Sequence, residues 1–141
     1  MCIRDRYNRL HIRWVRDAAR QPLQFGSLPS GLRLRSAGYD LDGGRVVSES
    51  LNFIRRGEVV LRVTWAVDFK GKAQYGSMCT RAPSMPQPNP PCHTASREVA
   101  GGTLRVDYVG RDGSTARRVL DATTLATDPA DYVGFAEAVN R

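Results

Sequence analysis

The stretch from Glu58 to Lys70 constrains the fold more than any other part of the sequence, because apolar and polar residues alternate along it. Its odd positions are all apolar: Val59, Leu61, Val63, Trp65, Val67 and Phe69. Its even positions are mostly polar, and a period of two puts successive side chains on opposite faces of a strand. At helical spacing the apolar residues would spread round the whole circumference. The pattern therefore predicts a long strand with one packed and one wet face, which is typical of antiparallel pairing.

Shorter alternations on both sides of this stretch predict further strands. We expect them at Leu10–Val15, Leu32–Arg35, Arg45–Ile54, Ala73–Cys79, Thr103–Tyr108 and Ser114–Leu120. Turns rich in Gly and Asp separate them, at Asp40–Gly44, Arg55–Gly57, Lys70–Gly71 and Gly110–Gly113. The last of these turns predicts a hairpin into Ser114–Leu120. The segment Asp17–Gly31 is expected to be mostly loop, attached to the core by Leu23 and Phe25.

A helix is predicted near the carboxyl end. Asp128 can cap free backbone N–H groups, and Pro129 suits the first helical position. Beyond them an apolar helical face follows at the spacing i, i+3, i+4, i+7, formed by Tyr132, Phe135, Ala136 and Val139.

These elements predict a mainly β, α+β fold. The expected architecture is an antiparallel sandwich or partly open barrel of six to eight short strands with one C-terminal helix. A single bare sheet would leave too much of Trp14, Phe53 and Trp65 exposed. Because 41% of the 141 residues are apolar and 25% are charged, the composition is that of one globular domain and argues against wholesale disorder.

Both ends of the sequence look unnatural. Residues Met1–Arg6 resemble the leader that appears when a sequencing adapter is translated into an environmental read. An amphipathic helix is still under way at Arg141. We therefore expect a metagenomic fragment, bacterial in origin, in which residues 1–6 are a non-native leader and residues 7–141 form a single β-rich domain truncated in its C-terminal helix.

The segment Thr80–Thr94 differs from the rest of the chain, because it holds five prolines and almost no core residues. It is expected to be an exposed, semi-rigid loop with polyproline character. Cys79 and Cys92 flank it, and a disulfide between them would close the loop at its base. Disulfides persist in oxidising compartments, so this pairing implies a periplasmic or secreted location. The prolines expected to contact a partner are Pro86, Pro88, Pro90 and Pro91.

Several chemical interpretations of these residues are weaker. Cys79, Cys92 and His93 supply three metal ligands, but the paired short spacing of structural zinc sites is missing. Adjacent residues on an extended chain point apart, so Cys92 and His93 make a poor nucleophile and base. Asp40 and Asp42 lack the glutamate that ends a calcium-binding EF-hand loop. We therefore predict no catalytic residue, no metal site and no cofactor.

The basic surplus, 21 basic against 14 acidic residues, is the remaining functional feature. Arginines that alternate with apolar residues on predicted strands could form one basic face: Arg13, Arg33, Arg35, Arg62, Arg105 and Arg117. Such a face could meet nucleic acid or an anionic surface. However, base stacking needs aromatic residues on the binding face, and the aromatics fall on the apolar side.

Two functions follow from the sequence. The first is a non-catalytic envelope or secreted module that binds a protein or surface partner through the proline-rich loop. The second is a basic module that contacts nucleic acid or an acidic partner through the arginine-rich strand face. No run of the roughly 18–20 apolar residues that a membrane-spanning helix needs occurs in the sequence.

Overall fold

The computed structural model of the chain describes residues 20–67, 78–79 and 90–139. Within them the strands are β1 (Leu23–Phe25), β2 (Arg33–Asp42), β3 (Arg45–Arg55), β4 (Glu58–Val67), β5 (Cys92–Val99), β6 (Gly102–Val109) and β7 (Thr123–Leu125). The helices are α1 (Thr115–Asp121) and α2 (Phe135–Val139), with a 3-10 turn at Pro129–Asp131. The predicted mainly β fold is confirmed: the seven strands form two antiparallel sheets, with a helix near the carboxyl end and no closed barrel among the described residues.

The larger sheet has five strands in the order β2-β3-β4-β6-β5. Two-residue turns join its three hairpins, at Gly43–Gly44, Arg56–Gly57 and Ala100–Gly101, and φ is positive at both residues of each turn. Positive φ at both central positions is the turn geometry that matches the twist of paired strands. The second residue of each turn is glycine, which adopts this conformation without a Cβ penalty. The reversals predicted at residues 40–44 and 55–57 are thus confirmed, although Asp40–Asp42 belong to β2.

The alternation in β4 produces the core as predicted. Leu61, Val63 and Trp65 are each no more than 4% exposed. The register places apolar partners beside them on β3 and β6, and these partners are buried as well: Leu51, Phe53, Leu104, Val106 and Tyr108. We call this side of the sheet the core face. Residues 68–70 of the predicted strand lie outside the described residues.

A second layer covers the core face. The two-stranded β1–β7 sheet contributes Leu23 and Phe25, which are buried as predicted, and the ring of Phe25 meets that of Phe53 edge-on at 5.7 Å. Both helices add side chains to the same hydrophobic cluster: Ala116, Val119, Leu120, Phe135 and Ala138. A two-layer arrangement is needed because a sheet with one apolar face must bury that face against another element.

The strand predicted at Ser114–Leu120 is wrong, because these residues form helix α1. Ala116, Val119 and Leu120 recur at helical spacing and contact the core, which stabilises the helix by burial. The side chain of Asp112 accepts a hydrogen bond from the Ser114 backbone N–H at 2.9 Å and so shapes the turn before the helix. Strand β6 instead forms a hairpin with β5 and pairs on its other side with β4.

Three boundaries also differ from the predictions. The segment Asp17–Gly31 was expected to be mostly loop, but its residues Leu23–Phe25 form β1. The proline-rich segment was expected to continue to Thr94, but β5 begins at Cys92. Near the carboxyl end, Asp128 does cap Pro129–Asp131, but Tyr132 has an extended backbone and only Phe135–Val139 forms α2. The strand predicted at Leu10–Val15, residues 73–77 of the strand predicted at Ala73–Cys79, and the leader at residues 1–6 lie outside the described residues.

Candidate functional site

The side of the larger sheet opposite the core face is lined by polar residues, and we call it the polar face. Side chains directly opposite one another on paired strands project to the same side of the sheet. One row across the polar face therefore consists of Ser36, Asn52, Arg62, Asp107 and Thr94. The next row consists of Gly38, Ser50, Thr64, Arg105 and Ser96.

Asp107 is the centre of the polar face. It is fully buried, and its carboxylate accepts a hydrogen bond from the Thr94 hydroxyl at 2.6 Å and from the Met78 backbone N–H at 3.2 Å. The Arg105 Nε lies 3.6 Å from the same carboxylate. A buried carboxylate needs such donors and a cationic neighbour to offset its loss of water. Asp107 thereby joins β5, β6 and Met78, which lies just before the proline-rich segment, on one side of the sheet.

The predicted disulfide between Cys79 and Cys92 is confirmed, with sulfurs 2.03 Å apart and a separation of 13 positions along the chain. Cys92 lies on edge strand β5 opposite Val109 of β6. Gly110, which follows Val109, donates its backbone N–H to the Pro91 carbonyl at 2.9 Å. The base of the loop is thus fixed covalently and by the hydrogen bonds to Asp107. A disulfide persists in oxidising surroundings, so this one indicates a setting outside the reducing cytosol.

The same disulfide changes the interpretation of the two cysteines as chemical groups. Both sulfurs are bonded to each other, so neither is a free thiolate for metal binding or nucleophilic attack. Cys92 projects to the polar face, whereas His93 pairs with Tyr108 on the core face and its ring lies beside Gly113. The prediction that these adjacent side chains point apart is confirmed.

The predicted basic residues do not all lie together. Arg62 and Arg105 share the polar face, where the Arg62 Nε donates to the Asn52 side chain at 2.8 Å. Arg33 and Arg35 lie exposed on edge strand β2, Arg35 at an irregularity in its pairing with β3. Arg117, expected on a strand, lies instead on α1, which packs on the core face. Arg13 is outside the described residues.

Two of the four prolines expected to contact a partner are described. Pro90 is exposed and Pro91 is half-buried directly before β5. Pro86 and Pro88 lie outside the described residues, so their predicted role is untested. In the described ranges no group of three or more His, Cys, Asp or Glu side chains could hold a metal ion, and no helix is long and apolar enough to cross a membrane.

Sequence reasoning missed two acidic residues. Asp107 is one of several polar residues that alternate with apolar ones along β6, as Thr103 and Arg105 do, so only its contacts reveal its role. Glu49 lies on the core face of β3, in phase with Leu51 and Phe53, and that phase was visible in the sequence. The Glu49 carboxyl is fully buried without a hydrogen-bond partner among the described residues, and burial raises its pKa well above the ordinary value.

Comparison with known proteins gives no family for this chain: no protein-family model, no curated protein and no solved structure matches it.

Proposed function

We propose that this protein is a non-catalytic envelope or secreted module, located in the periplasm or outside the cell, that binds a protein or surface partner. The contact is made by the proline-rich loop and the polar face beside it. The observation that carries the proposal is the double fixation of the loop base, by the disulfide and by Asp107.

Fixation of the loop base favours binding for an entropic reason. A long surface loop without secondary structure is uncommon unless it is functional or disordered. A loop whose ends are tied and whose backbone is stiffened by proline loses less freedom when it is ordered in a complex. Proline-rich extended segments are also a recognised binding surface for grooves lined by aromatic residues.

The polar face extends this surface towards the edge of the sheet. Thr94, Ser96 and Glu98 are exposed on β5, on the side from which Cys92 reaches the disulfide. They offer hydroxyl and carboxylate groups next to the loop base. A partner that binds at the loop base could therefore also contact these groups.

Photo-crosslinking from defined positions tests this proposal. A photoreactive amino acid is placed at Pro90, beside the disulfide, and in a second variant at Arg117, on α1 at the core side of the sheet. Both positions are exposed, so neither substitution should disturb folding. After irradiation in a native lysate, we expect one discrete adduct from position 90 and none from position 117. Equal adducts from both positions would contradict the proposal.

A loop replacement gives the complementary test. Residues 80–91 are replaced by a short Gly/Ser linker and Cys92 by serine. Because the described core is formed almost entirely by residues of the strands and helices, circular dichroism should retain its β signal while the adducts and captured partners disappear. Retrieval of the same partners by the shortened protein would show that the loop is only a spacer.

The alternative function is contact with nucleic acid or an acidic partner through the arginines. The proximity of Arg62 and Arg105 on the polar face favours it, while the Asp107 carboxylate, opposite Arg62 and 3.6 Å from the Arg105 Nε, reduces the positive charge there. Binding of this kind weakens steeply as salt rises. Anisotropy of labelled single-stranded DNA should therefore decide: salt-sensitive binding that is lost on changing both arginines to glutamine would support the alternative and displace the loop proposal.

A further inference from the structure

A second surface feature lies away from the polar face, on the core side of the sheet. A pocket of about 240 Å³ opens where β3 begins and β4 ends. Its walls are mostly apolar, and they include Pro22, Val46, Val47, Trp65, Val67 and Leu125. The indole Nε1 of Trp65 donates to the Val99 carbonyl at 3.1 Å, so this side chain is held in place at the pocket.

The size of the pocket limits what it can hold. Sites for drug-sized molecules have volumes of roughly 300–1,000 Å³, and a cavity of about 150 Å³ accommodates benzene. A pocket of about 240 Å³ lies between these values. It therefore fits a molecule with an apolar body the size of one aromatic ring and a small polar substituent.

Two polar groups at the pocket indicate the chemistry of that substituent. The Tyr132 hydroxyl accepts a hydrogen bond from the Val46 backbone N–H at 3.1 Å, and within the described contacts its own proton is not donated to any acceptor. Arg45, the residue before Val46, is exposed at the rim. One of its guanidinium nitrogens lies 3.4 Å from the Thr127 carbonyl, which is a long hydrogen bond.

Asp42 lies opposite Arg45 in the β2–β3 register, but no ion pair joins the two side chains. Ion pairs among the residues that the structure describes join Arg105 to Asp107 and Arg118 to Asp112, and none involves Arg45. Arg45 and Tyr132 both line the pocket, and a guanidinium forms charge-assisted hydrogen bonds to a carboxylate, to which a hydroxyl can also donate. Glu49 lies opposite Trp65 on β3, and burial raises the pKa of its carboxyl, which favours the uncharged acid over a carboxylate that would repel an anion.

We propose that this pocket binds a small carboxylate with an apolar, ring-sized body, whose carboxylate is held by Arg45 and the Tyr132 hydroxyl. The apolar body lies against Trp65 and the valines, and the carboxylate faces the rim. This site is separate from the loop base and the polar face, so it does not rest on the proposed partner contact.

Three ligands with one skeleton test the proposal: phenylacetate, 2-phenylethanol and 2-phenylethylamine, which end in an anion, a neutral hydroxyl and a cation. Each is titrated into the full chain at millimolar concentration, and NMR follows the Trp65 indole N–H and the Val46 amide. We expect saturable shifts with phenylacetate, weaker ones with 2-phenylethanol and none with 2-phenylethylamine. No saturable shift with phenylacetate, or equal binding of the amine, would overturn the proposal.

Variants then assign the carboxylate contact. Because Arg45 is exposed, Arg45→Gln should fold normally. It should weaken phenylacetate about tenfold or more, the loss expected for a charge-assisted hydrogen bond, while leaving 2-phenylethanol within about twofold. Arg117→Gln, which removes an exposed arginine of α1, should change neither ligand. Equal effects of the two arginine variants would show that net charge alone attracts the anion and would refute the site.

Tyr132→Phe supplies an independent check, since it keeps the ring and removes the hydroxyl. It should reduce binding of phenylacetate more than that of 2-phenylethanol. Affinity of this variant equal to that of the unchanged protein would remove the hydroxyl from the site and contradict the proposed geometry.

Discussion

Glu49→Gln should abolish a pH dependence of stability that originates in the core. The Glu49 side chain is fully buried on β3 between Tyr39 and Trp65 on the neighbouring strands, without a hydrogen-bond partner among the described residues. Its pKa is raised well above the ordinary value of 4.5 because burial penalises the charged form. Glutamine has nearly the same shape but cannot ionise, so the substitution isolates the effect of charge.

The sign of the effect follows from proton binding in the two states. Below about pH 4.5 the carboxyl is protonated in the folded and the unfolded chain, and it contributes no pH dependence. As pH rises from there to the raised pKa, the unfolded chain releases the proton while the folded chain keeps it. The free energy of unfolding then falls by up to about 1.4 kcal/mol per pH unit. Above the raised pKa both states are ionised and the loss stays constant.

Urea denaturation followed by circular dichroism between pH 4 and pH 9 measures this difference. We expect Glu49→Gln to match the unchanged protein in stability near pH 4 and to exceed it increasingly towards neutral pH. Each 1 kcal/mol corresponds to a rise of roughly 2–8 °C in melting temperature for domains of this size range. The matched control is Glu58→Gln, an exposed glutamate at the start of β4, which should leave the pH profile unchanged. Parallel pH profiles for Glu49→Gln and the unchanged protein would refute the reasoning.

Three further experiments test the architecture. Replacing Cys79 and Cys92 with serine should lower the free energy of unfolding by about 3 kcal/mol, because the unfolded chain regains the entropy that closing a loop of this length removes. Reductant should have the same effect on the unchanged protein in urea titrations. No change in either experiment would mean that the disulfide does not constrain the unfolded chain. Trp65→Ala should lower the free energy of unfolding by about 3–5 kcal/mol by opening a core cavity, whereas Arg62→Ala on the polar face should lower it by about 1 kcal/mol. Similar urea denaturation midpoints for the two variants would show that the two faces of β4 are assigned wrongly. Gly102→Ala should lower the free energy of unfolding by about 1–3 kcal/mol in the same titration, because a Cβ there would collide with a backbone carbonyl of β4. Unchanged stability would mean that β4 and β6 can move apart at this position without cost.

The sequence determined those parts of the fold in which local pattern and burial agree. The alternation from Val59 to Val67 placed Leu61, Val63 and Trp65 on one face, and the structure buries all three. The reversals near Gly43–Gly44 and Gly57 were predictable because glycine tolerates the left-handed backbone that they require. The disulfide was predictable as well, since only two cysteines flank the proline-rich segment.

Tertiary contacts decided what local pattern left open. Residues 114–120 fit a short strand as well as a helix, and the helix forms because Ala116, Val119 and Leu120 can then bury themselves against β5 and β6. Edge strand β5 was missed because only one of its faces meets the core and its exposed positions are small or polar. Both proposed sites depend on residues that come together only on folding, Asp107 with Met78 and Thr94 at the loop base and Arg45 with Tyr132 at the pocket. Spacing along one chain does not encode such proximity, because it arises from strand order and register.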